Sequence, residues 1–113
     1  MTERRRVVVT GIGAVTPLGL DAETTWAAML EGRSGVRTIA AFDPSRVTSR
    51  IAGEIPDFDA SGVMDRKELR RNDRTTQMAL VTIAEALADA GLPDTLPEEL
   101  ALETGIVIGS GLG

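Results

Sequence analysis

Arg4-Arg5-Arg6-Val7-Val8-Val9-Thr10-Gly11-Ile12-Gly13-Ala14-Val15-Thr16-Pro17-Leu18-Gly19 opens the chain, and Gly105-Ile106-Val107-Ile108-Gly109-Ser110-Gly111-Leu112-Gly113 closes it. Each is a β-branched run that empties into glycines. A short, wholly apolar strand followed at once by a glycine loop is how a buried parallel strand carries its C-terminal end to a site. Val7 to Ile12 therefore reads as a first strand and the run after Gly105 as a final one, in an α/β protein. The second run builds a strand and its loop and goes no further, which predicts the front piece of a larger enzyme.

Between these runs the local signals are helical. Asp21 is an N-cap whose carboxylate can accept from the free N–H groups of a first turn. Ala22, Trp26, Met29 and Leu30 follow on one helical face, and Gly32 sits where a left-handed C-terminal cap belongs. Residues 34–56 read as loop, with one short irregular strand in Arg50-Ile51-Ala52-Gly53-Glu54-Ile55, and 56–62 as a turn region. Asp65-Arg66-Lys67-Glu68 resembles a capping box with Asp at its head. The helical signal runs on to Ala90 with a break near Asn72, and Gly91 and Pro93 end it. Between Gln77 and Ala90 only Thr82, Glu85 and Asp89 are polar, on one narrow stripe. A helix apolar over most of its circumference must be covered on most sides. Two small strands and one helix offer too little cover, so the pattern predicts that a further half or a partner subunit supplies the rest. Residues 94–103 form an acidic linker without a basic residue.

Composition narrows the function. The chain has 113 residues, 42% of them hydrophobic, enough for one small domain with a core. Its formal net charge of −5 argues against general nucleic-acid binding. No run approaches the roughly 18 apolar residues of a membrane span, and the basic N-terminus lacks a signal peptide's apolar region. A soluble, cytoplasmic protein is expected. There is no Cys and no His, which excludes disulfides, thiolate chemistry, His bases and the usual zinc ligands. No cofactor and no catalytic residue is expected within this chain.

Three features could carry function. Gly11-Ile12-Gly13-Ala14-Val15-Thr16 invites a dinucleotide reading, but the third glycine is absent. Pro17-Leu18-Gly19-Leu20 also separates the loop from the helix that should aim its N–H groups at a pyrophosphate. A tight turn under a buried strand is preferred. Arg66, Lys67, Arg70, Arg71 and Arg74 form a basic cluster against Glu68 and Asp73. Lys67, Arg70, Arg71 and Arg74 have i, i+3, i+4, i+7 spacing, which predicts one shared helix face. It is either a solvated face with local ion pairs or a docking patch for an acidic macromolecule. RNA is disfavoured because no aromatic residue interleaves with the cations. Gly109-Ser110-Gly111-Leu112 is either a turn whose one apolar residue packs on the core or a pocket wall.

The sequence then resembles a known family. Arg5 to Gly13 with Thr16-Pro17-Leu18-Gly19 is similar to the N-terminal signature of β-ketoacyl-acyl carrier protein synthases, most of all the type II enzymes. The likeness continues through Thr25-Trp26, Gly32-Arg33-Ser34-Gly35-Val36, Phe42-Asp43, Asp65-Arg66-Lys67-Glu68 and Arg70-Arg71-Asn72-Asp73-Arg74 to Gly109-Ser110-Gly111-Leu112-Gly113. The resemblance implies a thiolase-like layered α/β/α/β/α fold. Residues 1–113 would be the first part of its N-terminal half, a partial domain without the rest of that half or the C-terminal half. It implies decarboxylative Claisen condensation with malonyl-acyl carrier protein in fatty acid biosynthesis. The acyl group would ride on a cysteine supported by two histidines and a lysine, none of them in this chain. Acyl carrier protein, acyl and malonyl thioesters and a homodimer are the implied partners.

By resemblance, Lys67, Arg70 and Arg71 match the patch that meets the acidic carrier, and Arg74, on the same expected face, is expected to bind the carrier with them. Leu112 matches the residue lining the acyl pocket, often Ile in type II enzymes. Thr75-Thr76 departs from the family, which often has an aromatic residue after Asp-Arg. A polyketide ketosynthase segment, a non-catalytic module for an acidic protein and a nucleotide-binding oxidoreductase domain are the alternatives.

Overall fold

The structure is a computed structural model that describes residues 4–112. Met1 to Glu3, at the head of the basic N-terminus, and Gly113, the last residue of the closing loop, lie outside them. Helix α1 spans Ala22–Leu30, and strands β1 (Val36–Thr38) and β2 (Ile51–Gly53) flank a 3-10 turn at Pro44–Arg46. Helices α2 (Arg66–Arg71), α3 (Arg74–Asp89) and α4 (Glu98–Leu102) follow.

Helix ends follow local chemistry. The Asp21 carboxylate accepts from the Thr24 N–H at 2.7 Å, which holds its carboxyl below the usual range. At the other end Gly32 takes φ +69°. The Gly32 and Arg33 N–H groups return to the Met29 and Ala28 carbonyls at 3.0 Å each, closing a Schellman cap. The same cap ends α3, with Gly91 at φ +69° and Leu92 N–H on the Leu87 carbonyl.

The strand expectations are corrected. Residues 7–12 and 105–108 carry no strand pairing. Val7 is 92% exposed and Val107 98%. A strand exists only with a neighbour to complete its ladder, and among the described residues neither run has one. The opening segment crosses α3 instead. A Cβ at Gly13 would lie 2.0 Å from the Thr82 carbonyl oxygen, and one at Gly11 would lie 2.1 Å from that of Ala86. Glycine is what allows backbone to rest on backbone there.

The only described sheet is an antiparallel pair with register Val36↔Gly53, Arg37↔Ala52 and Thr38↔Ile51. β2 answers the expected short strand, whereas β1 lies in the stretch read as loop: three residues are too few to show alternation. Past β1 the chain is held by Glu54, whose carboxylate accepts from the Ala40 and Ala41 N–H groups at 2.8 and 3.0 Å. Those two donors, Ala40 first, keep its carboxyl below the usual range. The acidic linker contains α4, a short helix that sequence reading missed.

The core is small. Among the described residues Ala28, Ala60 and Met64 are its buried apolar residues, and Thr25 is the buried polar one. Trp26, Met29 and Leu30, on the apolar face expected of α1, are exposed, and no residue of α3 is buried. The accessible surface is 9491 Å², against about 5,900 Å² for a self-contained domain of this size. These residues do not close a core among themselves.

In the whole protein, Gly13→Ala is expected to lower stability by about 2–3 kcal/mol in denaturant unfolding, because the new methyl meets helix backbone. Gly62→Ala, where a Cβ meets nothing within 4 Å, is expected to stay within about 0.5 kcal/mol of the parent.

Candidate functional site: the basic helix and its junction

Helix α2 is built by its cap. The Asp65 carboxylate accepts from the Lys67 and Glu68 N–H groups at 2.7 and 2.8 Å. Glu68 reaches back to the Asp65 N–H at 2.9 Å, completing the expected capping box. Both nearby carboxylates are thereby spent on backbone. Among the described residues the one salt bridge is Arg33–Glu31 at 2.8 Å, so Arg66, Lys67, Arg70 and Arg71 stand exposed and unpaired. Arg70 and Arg71 occupy the last turn, where the helix dipole favours cations.

The predicted four-residue face does not survive the junction. The helix stops at Arg71, Asn72 is extended (φ −103°, ψ 137°), and Asp73 starts a new helix by accepting from the Thr76 N–H at 2.7 Å. Arg74 belongs to that second helix. Its guanidinium lies 5.3 Å from the Phe58 ring centroid and donates to the Ile55 carbonyl. The i+7 spacing fails because the helical phase is reset between Arg71 and Arg74. Asp73, a second N-cap residue one position past Asn72, carried the signal for that reset.

Sequence reading gave no part to Gln77. Its half-buried side-chain amide donates to the Leu69 and Asn72 carbonyls at 3.0 and 2.9 Å. Asn72 adds a side-chain bond to the Glu68 carbonyl at 2.9 Å. The orphan carbonyls at the end of α2 thus find donors across the break.

Two N–H groups of the opening glycine loop and one at the start of α1 are already taken and are not free for a phosphate. Asp89 takes the Ile12 N–H at 2.9 Å, and Glu85 takes those of Ala14 and Ala22 at 2.8 and 2.7 Å. Ala22 is the first residue of α1, so a carboxylate already occupies the helix start that a pyrophosphate would need. Beside it an open groove of about 660 Å³ is lined by Ile12, Ala14, Ala22, Trp26, Met29 and Ala88 among others.

In the closing segment Gly109, Ser110, Gly111 and Leu112 are exposed. Leu112 is fully so and is not brought to this groove. Among the described residues no group of three or more His, Cys, Asp or Glu could hold a metal, and no helix is long and apolar enough to cross a membrane.

Residues 4–113 match the family model of the β-ketoacyl synthase N-terminal domain. The 3-oxoacyl-[acyl-carrier-protein] synthase 2 of Synechocystis sp. is 43% identical over 98% of this chain and 26% of its own length. That of Staphylococcus aureus (strain COL) is 42% identical over the whole chain and 27% of its own length. Among solved structures, the ishigamide ketosynthase/chain length factor superposes with a TM-score of 0.71 at 36% identity, over 81% of this chain and 23% of that one. The chain thus spans about a quarter of the length of the relatives it matches.

The Thr76 N–H, and then the Thr76 side chain, hold the Asp73 carboxyl below the usual range. A depressed native pKa gives stability that is present above the ordinary Asp value and is lost as pH falls through the lower native one. Amide exchange at Thr76 is expected to accelerate below about pH 4, beyond the intrinsic pH trend, and to lose that step in Asp73→Asn.

Proposed function

The chain belongs to the β-ketoacyl synthase family through its N-terminal domain and has the thiolase-like ketosynthase fold, and on that premise we propose that it is the N-terminal segment of a 3-oxoacyl-[acyl-carrier-protein] synthase of type 2. The observation that carries this is the 41–43% identity to such synthases over nearly every residue of the chain. The ishigamide ketosynthase, at 36%, is the more distant of the relatives described here, which weighs toward fatty acid elongation.

In this reading the whole protein lengthens an acyl chain by decarboxylative Claisen condensation with a malonyl thioester on acyl carrier protein, working as a cytoplasmic homodimer. The family resemblance implies a cysteine nucleophile supported by histidines and a lysine, and Cys and His are absent from the present residues. By itself the segment is inactive.

Its own contribution is twofold. Lys67, Arg70 and Arg71 present unpaired cations on one short helix. An acidic carrier protein would be steered to them by charge, with affinity falling as salt rises. Gly109, Ser110, Gly111 and Leu112 contribute a flank of the acyl pocket, with Leu112 as its one large side chain. What supports this role is that the segment falls within the residues matched by the family's N-terminal domain.

Arg70→Glu with Arg71→Glu in the whole protein is expected to weaken carrier binding on the order of ten-fold or more at low salt, with the fold retained and the unfolding midpoint lowered only slightly by the loss of cations from the helix end. Equal affinity for parent and variant would sink the docking role. Leu112→Phe is expected to lower rates with long-chain primers relative to short ones by filling the pocket. Unchanged relative rates would remove Leu112 from the wall.

A further inference from the structure

We propose that Gln77 is a positioning residue for carrier docking: it never meets the carrier, but sets the direction in which α2 presents its cations. This rests on the docking role just proposed for Lys67, Arg70 and Arg71.

α2 has six residues, too few to be stable on propensity. It joins α3 through Asn72, whose backbone is extended, so helix continuity does not fix one axis against the other. Among the described residues, the side-chain hydrogen bonds that cross the break come from one amide. Gln77 Nε2 bonds the Leu69 carbonyl in the last turn of α2 and the Asn72 carbonyl at its cap. Both bonds come from one nitrogen on a half-buried side chain of α3. Arg70 and Arg71 occupy the same final turn, so the carbonyl lattice that Gln77 grips is the one from which the two guanidinium groups project.

Arg74 serves the junction from the other side. It is drawn to Phe58 and the Ile55 carbonyl and away from the exposed face of α2. The docking charge is therefore concentrated on α2, and its geometry passes through Gln77.

The test is a double-mutant cycle in the whole protein with holo-acyl carrier protein as the probe. Gln77→Met keeps length and net charge but removes the donor. It is expected to weaken carrier binding about five-fold. The penalty of Arg70→Glu with Arg71→Glu is expected to shrink by a similar factor in the Gln77→Met background, because misdirected cations have less to lose.

A purely structural role would lower the unfolding midpoint, leave the folded protein's affinity unchanged and make the cycle additive; that result overturns the proposal while docking stands. If the double reversal has no effect in the parent protein, docking itself fails and the role of Gln77 falls with it. Should Gln77→Met not fold, the cycle is run with Gln77→Asn, whose shorter amide cannot span both carbonyls, and the same two outcomes decide.

Discussion

Glu85 holds this structure together. One carboxylate on α3 accepts the N–H of Ala14 through one oxygen and that of Ala22 through the other. The first belongs to the opening glycine segment and the second to the start of α1. Asp89, one turn further on, takes the N–H of Ile12. Hydrogen bonds to a carboxylate are shorter and roughly twice as strong as neutral ones, and here they tie the opening segment and the start of α1 to α3. They also dictate the glycines. For carboxylates on a helix to reach main-chain N–H groups, the crossing backbone must lie against that helix, and at Gly11 and Gly13 no Cβ fits beneath. Two short side chains therefore fix where the N-terminal segment runs and where α1 begins.

What was legible in the sequence was what is decided within a few residues. Asp21 and Gly32 bracket α1 as read, Asp65 and Glu68 form their capping box, and Gly91 ends α3 with a positive φ. Caps are chemistry between near neighbours, so spacing alone identifies them. Val7–Ile12 and the run after Gly105 were read as strands, but pairing depends on residues far away in sequence or outside the described chain. The break expected near Asn72 is present, but the basic face projects one helical phase across it from Lys67 to Arg74, and Asp73 resets that phase. The stripe of Thr82, Glu85 and Asp89 was visible. That it receives the glycine segment was not, because nothing local links the two.

The apolar surface follows a different logic from the charged one. Trp26, Met29 and Leu30 on α1 line up as a buried face should, yet they stand open. Their burial needs partners that these residues do not provide, so the face is specified by pattern and left incomplete in packing. The basic helix needs no such cover. Its cap, its break and its brace through Gln77 all lie between Asp65 and Gln77, and its cations face water in any case. In the reading proposed above, recognition of a carrier would thus be organised locally while the acyl pocket depends on the rest of the protein.

This locality also explains how a chain with a net charge of −5 displays an unpaired positive patch. Acidic side chains around α2 are not scarce, since Asp65, Glu68 and Asp73 all lie within or beside the cluster. Each is consumed by a helix start: Asp65 and Glu68 by the capping box, Asp73 by the first turn of α3. A carboxylate holding backbone N–H groups is held short of the exposed cations, and surface ion pairs stabilise too weakly to compete for it. Breaking the long helix at Asn72 creates that second start, and with it a place for Asp73. The interruption that removes Arg74 from the face therefore also removes an anion that would otherwise neutralise Arg70 or Arg71. The break thus takes one cation, Arg74, and one anion, Asp73, away from the face and leaves the charge of α2 to its own cations.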